Sequence, residues 1–295
     1  MSAYEITNTS FLQGQELHLL KTHVSTYLGS LRTKSVVVDG STVRYLEGGE
    51  GDPVVFLHGV ASPKTHYRSL MKSVSSGCRV IAPDVPGFSA SSRLNNGRHN
   101  LRNLSHWLKQ FMAALELERI TLVGVSLGST LSIYHAYHYP EQIDKLCLFS
   151  VPEARSLNGC SVMSIMVDVF ERLEGTQDID ELMEMCFYYP PAMHSIIKNK
   201  MFKDLKVNQQ HFCELLKDVS EGQLQIKAKL PHIKAPTLLI SGESDPICPI
   251  AFARSLDEQI PNSTIHILSH SKHLTFLEKH GEVVALLNDF LRHGV

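Results

Sequence analysis

The pattern that most limits the fold of this chain is a series of short apolar runs without polar alternation. They lie at residues 54–57, 79–82, 120–123, 145–149, 237–240 and 264–268, and each leads into a turn-forming or polar residue. Such runs are typical of strands buried on both faces, as in a parallel sheet covered by helices. Two β-branched runs around Asp39-Gly40 add a predicted hairpin.

Helical patterns separate these predicted strands. Residues 103–117 carry apolar side chains at helical spacing, and residues 131–139 and 282–291 behave similarly. Strands that alternate with helices indicate an α/β fold with a doubly wound sheet and helices on both faces.

One long interval breaks this alternation. Residues 152–230 contain no clear strand and are rich in Met and aromatic residues at helical spacing. We predict a helical cap inserted between the sixth and seventh strands. The expected organisation is an N-terminal segment (1–34), a core (35–151), the cap (152–230) and the rest of the core (231–295). The Met and aromatic side chains are as consistent with an ordinary core as with the wall of a ligand pocket.

The N-terminal segment is predicted to be an amphipathic helix. Its apolar residues, which fall on one helical face, are Leu17, Leu20, Val24, Leu28 and Leu31. Packing against the body or the cap is the simpler interpretation. Peripheral membrane contact is the alternative, although the polar face has few basic residues for it.

Composition excludes several classes of protein. The formal net charge is −2 and there is no long Lys/Arg run, so we expect no nucleic-acid partner. No apolar stretch reaches the length of a membrane span, and the N-terminus lacks a secretory pattern. The six cysteines form no C-x-x-C pair, which favours reduced thiols in a cytoplasmic protein and predicts no metal or other cofactor.

Residues 124–128 (G-V-S-L-G) match G-x-S-x-G between a predicted strand and a predicted helix. A sharp turn there would hold Ser126 above the sheet in a strained conformation, with a helix N-terminus beneath it. The pattern therefore predicts Ser126 as a nucleophile, although a glycine-bounded helix start would look the same.

A serine nucleophile needs a base and an orienting acid. His270 and His273 both lie in the loop after the last predicted strand, and each alone could be a surface histidine. Asp245 follows the predicted seventh strand and falls between serine and histidine in chain order. Glu243 and Glu153 are alternative acids. The oxyanion donors are predicted to be the backbone N–H groups of Leu127, which follows the nucleophile, and Val60, in the loop after the third strand.

Together these motifs resemble the α/β-hydrolase superfamily in its serine-nucleophile branch. The matching segments are residues 56–59 (F-L-H-G), 84–89 (D-V-P-G-F-S), 124–128, 242–246 (G-E-S-D-P), and His273 with Glu278 five residues on. The resemblance implies a mostly parallel eight-stranded sheet with a cap after strand six, and it favours His273 over His270 as the catalytic base. Residues 181–186, 211–216 and 233–237 are most similar to monoacylglycerol lipase-like esterases.

Three functions remain open on the sequence. The first is a serine carboxylesterase that acts on a small, lipid-like ester such as a monoacylglycerol or a medium-chain ester. The second is a carbon–carbon bond hydrolase of a vinylogous diketone, which uses the same triad; cationic cap residues would favour it, and the candidates are Arg155, Lys198 and Lys200. The third is a non-catalytic ligand receptor built on a hydrolase fold.

Overall fold

The computed structural model describes residues 31–74, 76–87, 93–94, 98–153, 162–223 and 226–294. Nearly all of the predicted N-terminal helix lies outside these residues, as do Arg155 and Cys160. Among the described residues, no helix is both long and apolar enough to cross a membrane.

A single eight-stranded sheet forms the centre of the fold. Its strands are β1 (Arg32–Val38), β2 (Ser41–Gly48), β3 (Asp52–Leu57), β4 (Cys78–Pro83), β5 (Ile120–Val125), β6 (Ile143–Phe149), β7 (Thr237–Gly242) and β8 (Ser263–Leu268). They lie in the order β1-β2-β4-β3-β5-β6-β7-β8. Strand β2 is antiparallel to both β1 and β4, and the other pairs are parallel.

Helices connect the strands. They are α1 (Arg68–Val74), α2 (Leu101–Ala114), α3 (Leu127–His138), α4 (Val162–Glu171), α5 (Thr176–Cys186), α6 (Ser195–Val207), α7 (Gln209–Gln223), α8 (Ile250–Gln259), α9 (Thr275–Glu278) and α10 (His280–His293). Short 3₁₀ helices occupy Lys64–Tyr67, Pro140–Gln142 and Lys227–His232.

The central strands are buried on both faces. In β5, Ile120 and Leu122 belong to one apolar cluster, while Val123 and Val125 belong to the cluster on the opposite face. Successive side chains of a strand point to opposite faces, so a strand covered on both sides is apolar at every position. This explains the absence of polar alternation in the sequence.

Four helices, α4 to α7, lie between β6 and β7, and the described residues of this interval contain no strand. Apolar residues of these helices, among them Phe170, Leu182 and Leu216, are continuous with the core cluster on one face of the sheet. The predicted eight-stranded, mostly parallel sheet with a helical insertion after strand six is therefore confirmed. The cap helices α6 and α7 continue through polar residues, whereas α2 ends at Ala114, three residues before the end of the predicted helix.

Candidate active site

Ser126 occupies a strained turn between β5 and α3. Its backbone has φ 55° and ψ −120°, a combination that non-glycine residues adopt only when the surroundings enforce it. The surroundings do so here, because a Cβ on Gly128 would lie 2.0 Å from the Leu57 carbonyl oxygen, and one on Gly124 would lie 2.5 Å from the Ser129 nitrogen. The turn requires glycine on both sides of the serine, and it leaves Ser126 half-buried between buried neighbours.

His273 and Asp245 lie in direct contact on the loops that follow β8 and β7. His273 Nδ1 is 3.0 Å from Asp245 Oδ2, and both residues are 6% exposed. The other carboxylate oxygen accepts the N–H groups of Ile247 and Cys248 at 2.8 and 3.0 Å. The Ser150 hydroxyl donates to the His273 carbonyl at 2.9 Å and fixes the histidine loop against the end of β6. Asp245 can therefore orient the imidazole with its second proton-binding nitrogen free to face a nucleophile.

The other candidates from the sequence lie elsewhere. His270 is exposed, and its ring packs edge-on against Tyr188 at 5.3 Å. Glu243 is exposed as well. Glu153 is half-buried, and burial raises the pKa of its carboxyl. Among the described residues, the carboxylate bonded to the His273 ring is that of Asp245.

The loop after β3 is held beside the serine by His58. Its Nε2 accepts the Val85 N–H at 2.9 Å, so the ring proton lies on Nδ1 and donates to the Gly59 carbonyl at 2.9 Å. Burial lowers the pKa of His58 and keeps the ring neutral, as this arrangement requires. A Cβ on Gly59 would lie 3.1 Å from the Ser126 Cβ, which shows how closely the loop approaches the turn. Val60 and Leu127 thus flank Ser126 from two separate elements.

A cavity of about 230 Å³ opens above the sheet and is lined by both Ser126 and His273. The loop after β3 forms one side of it, through Gly59, Val60, Ala61, Ser62, Pro63 and His66. The cap helices contribute an apolar wall made of Met166, Phe170, Leu182, Met183, Phe187, Ile197, Met201, Leu205 and Leu216. The Met and aromatic residues of the insertion therefore include members of a pocket wall as well as core residues.

Two cap lysines singled out in the sequence are both ion-paired. Lys200 lines the cavity, and its Nζ donates to Asp204 Oδ2 at 3.0 Å; Asp204 lines the same cavity. Lys198 pairs with Asp180 at 2.6 Å. The charges of Lys200 and Asp204 cancel locally, so this part of the wall carries no net charge.

One group of residues has the composition of a metal site. Asp245, Cys248 and His273 place potential ligand atoms within 4.8 Å of one another. Metal ligation would require a Cys248 thiolate, but burial raises the pKa of this thiol well above its ordinary value. The thiol instead donates to the Ser150 carbonyl at 2.9 Å, and Asp245 already accepts three N–H groups. Hydrogen bonding accounts for this cluster.

Sequence reasoning missed two side chains that line the cavity, Ser62 and His66, and it named Glu278 without a role. Glu278 bonds to both the histidine loop and the cap. Ser62 and His66 lie three and seven positions after Gly59, and this nearness to H-G at 58–59 was the available signal.

Residues 52–280 match the family described as alpha/beta hydrolase fold, which is most of the chain. The protein therefore belongs to this family and is a hydrolase of the α/β fold.

Its relatives include hydrolases with different named activities. The 2-hydroxy-6-oxo-6-phenylhexa-2,4-dienoate hydrolase of Comamonas testosteroni is 26% identical over 85% of this chain and 91% of its own length. A human monoacylglycerol lipase is 23% identical over 82% of this chain and 76% of its own length. The crystal structure of a bacterial membrane phospholipase A aligns with a TM-score of 0.80 at 22% identity, covering 89% of this chain and 86% of that one. This last likeness concerns the fold alone.

Proposed function

We propose that the protein is a serine hydrolase that cleaves carboxylic esters with an apolar acyl group through an acyl-enzyme. The observation that carries the proposal is one cavity lined by Ser126, on its strained turn, and by His273, which is bonded to Asp245. This is the combination of nucleophile, base and orienting acid that acyl transfer needs.

The steps follow from this arrangement. Ser126 Oγ attacks the ester carbonyl, and His273 Nε2 takes the serine proton while Asp245 stabilises the resulting imidazolium. The Val60 and Leu127 N–H groups bind the oxyanion of the tetrahedral intermediate. His273 then protonates the leaving alcohol and activates a water molecule, which releases the acid and restores Ser126.

The acyl group is assigned from the cavity wall. Apolar side chains of four cap helices surround the space above Ser126, and apolar pockets bind alkyl chains through the area they remove from water. A monoacylglycerol or a medium-chain ester fits this chemistry.

Carbon–carbon bond hydrolysis is the second candidate, because the Comamonas testosteroni relative is named as a hydrolase of 2-hydroxy-6-oxo-6-phenylhexa-2,4-dienoate, a compound without an ester bond. A dienoate substrate carries a carboxylate, which needs a cationic partner in the pocket. Lys200 is the lysine that lines the described part of the cavity, and it pairs with Asp204. The neutralised pair supports an uncharged ester over a carboxylate-bearing diketone.

The test is hydrolysis of p-nitrophenyl esters from acetate to palmitate by the wild type, Ser126→Ala and a matched Ser73→Ala control. We expect highest kcat/KM at medium or long chains, a loss of at least 10³-fold in Ser126→Ala, and no change in Ser73→Ala, whose hydroxyl bonds to the Ser69 carbonyl within α1. A fluorophosphonate probe should label the wild type at Ser126.

Each alternative predicts a different result. Turnover of a vinylogous diketone without ester turnover would establish the carbon–carbon hydrolase. A folded protein that neither hydrolyses these substrates nor reacts with the probe would establish a ligand receptor.

The cytoplasmic location and the peripheral membrane contact through the N-terminal segment (1–34) stay predictions. Fractionation of cells that express the full chain and a variant lacking residues 1–30 would test both.

A further inference from the structure

A polar pair interrupts the apolar lining of the cavity on the side of the core. Ser62 and His66 both line the cavity, and Ser62 Oγ lies 2.9 Å from His66 Nδ1. The mechanism proposed above uses neither side chain. A paired hydroxyl and imidazole in an apolar pocket offer hydrogen bonds to a ligand at one defined place.

The pair is fixed in position beside the expected oxyanion donor. Ser62 follows Val60 by two residues, and His66 belongs to the 3₁₀ helix Lys64–Tyr67. That helix is anchored because the buried Tyr67 hydroxyl donates to the Leu57 carbonyl at 2.9 Å. The backbone N–H of His66 also donates to the Pro63 carbonyl at 3.1 Å. A substrate held at Ser126 would therefore meet a rigid polar group on this side.

The chemistry of the pair suits an uncharged ligand. Burial, with a smaller contribution from His58, lowers the pKa of His66 to about 4, so the imidazole is neutral at physiological pH. The neighbouring cation, Lys64, is ion-paired with the buried Asp84 at 2.5 Å. An anionic group would find no compensating charge in this pair.

The pair is poorly suited to act as a second nucleophile and base. A histidine whose pKa is about 4 accepts a serine proton weakly. Ser62 also lacks the strained strand-to-helix turn that presents Ser126. Binding, not bond cleavage, is the chemistry that the pair supports.

We propose that Ser62 and His66 form a subsite for a hydroxyl group on the alcohol part of the substrate. The inference rests on the proposed ester hydrolysis and narrows it to esters whose alcohol keeps a free hydroxyl near the ester bond, such as glycerol monoesters. With the acyl chain against the apolar cap and the carbonyl oxygen near Val60, such a hydroxyl is the next polar group of the substrate. Whichever of Ser62 and His66 donates within the pair, Ser62 Oγ retains a lone pair that can accept the substrate O–H.

The experiment compares a glycerol monoester with the methyl ester of the same fatty acid. kcat/KM is measured for the wild type, Ser62→Ala, Ser62→Thr and Ser73→Ala, and melting temperatures report whether each variant folds. We expect the wild type to prefer the glycerol monoester. Ser62→Ala should lose about tenfold on that ester, the usual effect of one hydrogen bond, and stay within about twofold on the methyl ester. Ser62→Thr should keep the preference, and Ser73→Ala should resemble the wild type.

Other outcomes overturn the subsite. A wild type that treats both esters alike, a Ser62→Ala that changes neither, or one that weakens both equally would each refute it while leaving ester hydrolysis standing. If the wild type hydrolyses neither ester, the proposed function fails and the subsite fails with it.

Discussion

Asp245 accepts three N–H groups, and its two oxygens have separate tasks. One oxygen accepts the N–H groups of Ile247 and Cys248, which fix the carboxylate in the turn after β7. The other faces His273 Nδ1 at 3.0 Å. Because the first oxygen is committed to the backbone, the second determines which nitrogen of the imidazole carries the proton.

Asp245→Asn should therefore inactivate the enzyme without unfolding it. The amide oxygen would stay with the two backbone N–H groups, and the amide NH₂ would then face His273 Nδ1. The imidazole proton would move to Nε2, which could no longer accept the proton of Ser126. We expect kcat for a p-nitrophenyl ester to fall by roughly 10²–10⁴-fold, a change measured by steady-state kinetics.

The matched control is Glu243→Gln, since Glu243 is exposed and lies two residues before Asp245. Its kcat should equal that of the wild type. Loss of activity in Glu243→Gln with retention in Asp245→Asn would reverse the assignment of the acid.

At the residue scale, features that depend on neighbouring residues could be predicted from the sequence. The strained turn at Ser126 is one of them, because the crowding around its two glycines is a property of the G-x-S-x-G motif, so five residues were enough to locate it. The choice between His270 and His273 could not be made in this way. It depends on which side of one loop faces Asp245, 28 positions away along the chain, and only the packed loops decide that.

At the scale of elements, Glu278 joins the cap to the histidine loop. One of its oxygens accepts the N–H groups of Tyr188 and Tyr189, at 2.6 and 3.3 Å, in the link between α5 and α6. The other accepts the Lys272 N–H at 2.8 Å and the Ser271 hydroxyl at 3.2 Å. The Leu274 N–H also donates to the Cys186 carbonyl at 3.1 Å. The backbone of the cap and the backbone around His273 are thereby joined by the Glu278 carboxylate and by one direct hydrogen bond.

Glu278→Gln should break one half of this connection. An amide has one acceptor oxygen and can serve either the cap link or the histidine loop, but not both. Hydrogen bonds to a charged group contribute about 1.5–3 kcal/mol each, so we expect a lower free energy of unfolding. Amide hydrogen exchange at either residues 188–189 or residue 272 should accelerate. The ratio of kcat/KM for a long-chain ester to that for the acetate should fall, because the cap wall is less well held.

Glu282→Gln is the control for the loss of charge, since the Glu282 side chain is 61% exposed in the first turn of α10. This variant should show the same amide hydrogen exchange and the same ratio of kcat/KM values as the wild type. Unchanged exchange at residues 188–189 and 272 in Glu278→Gln would show that this carboxylate does not hold the cap.

The elements themselves were predictable to different degrees. Strands such as β5 were visible in the sequence because burial on both faces removes every polar residue. Cap helices were visible in the sequence only where they are apolar, whereas α6 continues to Val207 through Lys203 and Lys206. Its inner residues line the cavity and its outer residues face solvent, so the apolar pattern marks only part of its length. The Tyr188 and Tyr189 N–H groups that bond to Glu278 lie 90 and 89 positions before it in the chain, and only the folded structure brings them together.

At the scale of the whole molecule, several buried histidines are kept neutral. Burial is the main cause that lowers the pKa of His66, His99 and His135, each to about 4, and burial also lowers the pKa of His58. His135 is fully buried in α3, where its ring contacts Ser105 Oγ at 3.0 Å and Gln142 Oε1 at 3.2 Å. Folding of this protein therefore depends on histidines that do not take up protons.

The sign of the resulting pH dependence follows from the two pKa values of each group. An unfolded histidine titrates near 6.5, and folded His135 titrates at about 4. Between these values the unfolded chain binds more protons, so stability is full above about pH 6.5 and falls as the pH drops toward 4. His135 alone should cost about 2 kcal/mol of unfolding free energy between pH 7 and pH 5.

We therefore expect urea unfolding to show a steep loss of stability between pH 7 and pH 5, and His135→Gln to reduce the slope of that loss. The glutamine amide can still accept from Ser105 and donate to Gln142, but it has no proton to gain in this range. His293→Gln, at a side chain that is 72% exposed, should leave the slope unchanged. The slope and not the absolute stability is the measured quantity, because replacing a buried ring lowers stability at every pH. An equal slope in the wild type and His135→Gln would mean that His135 takes up its proton without unfolding the protein.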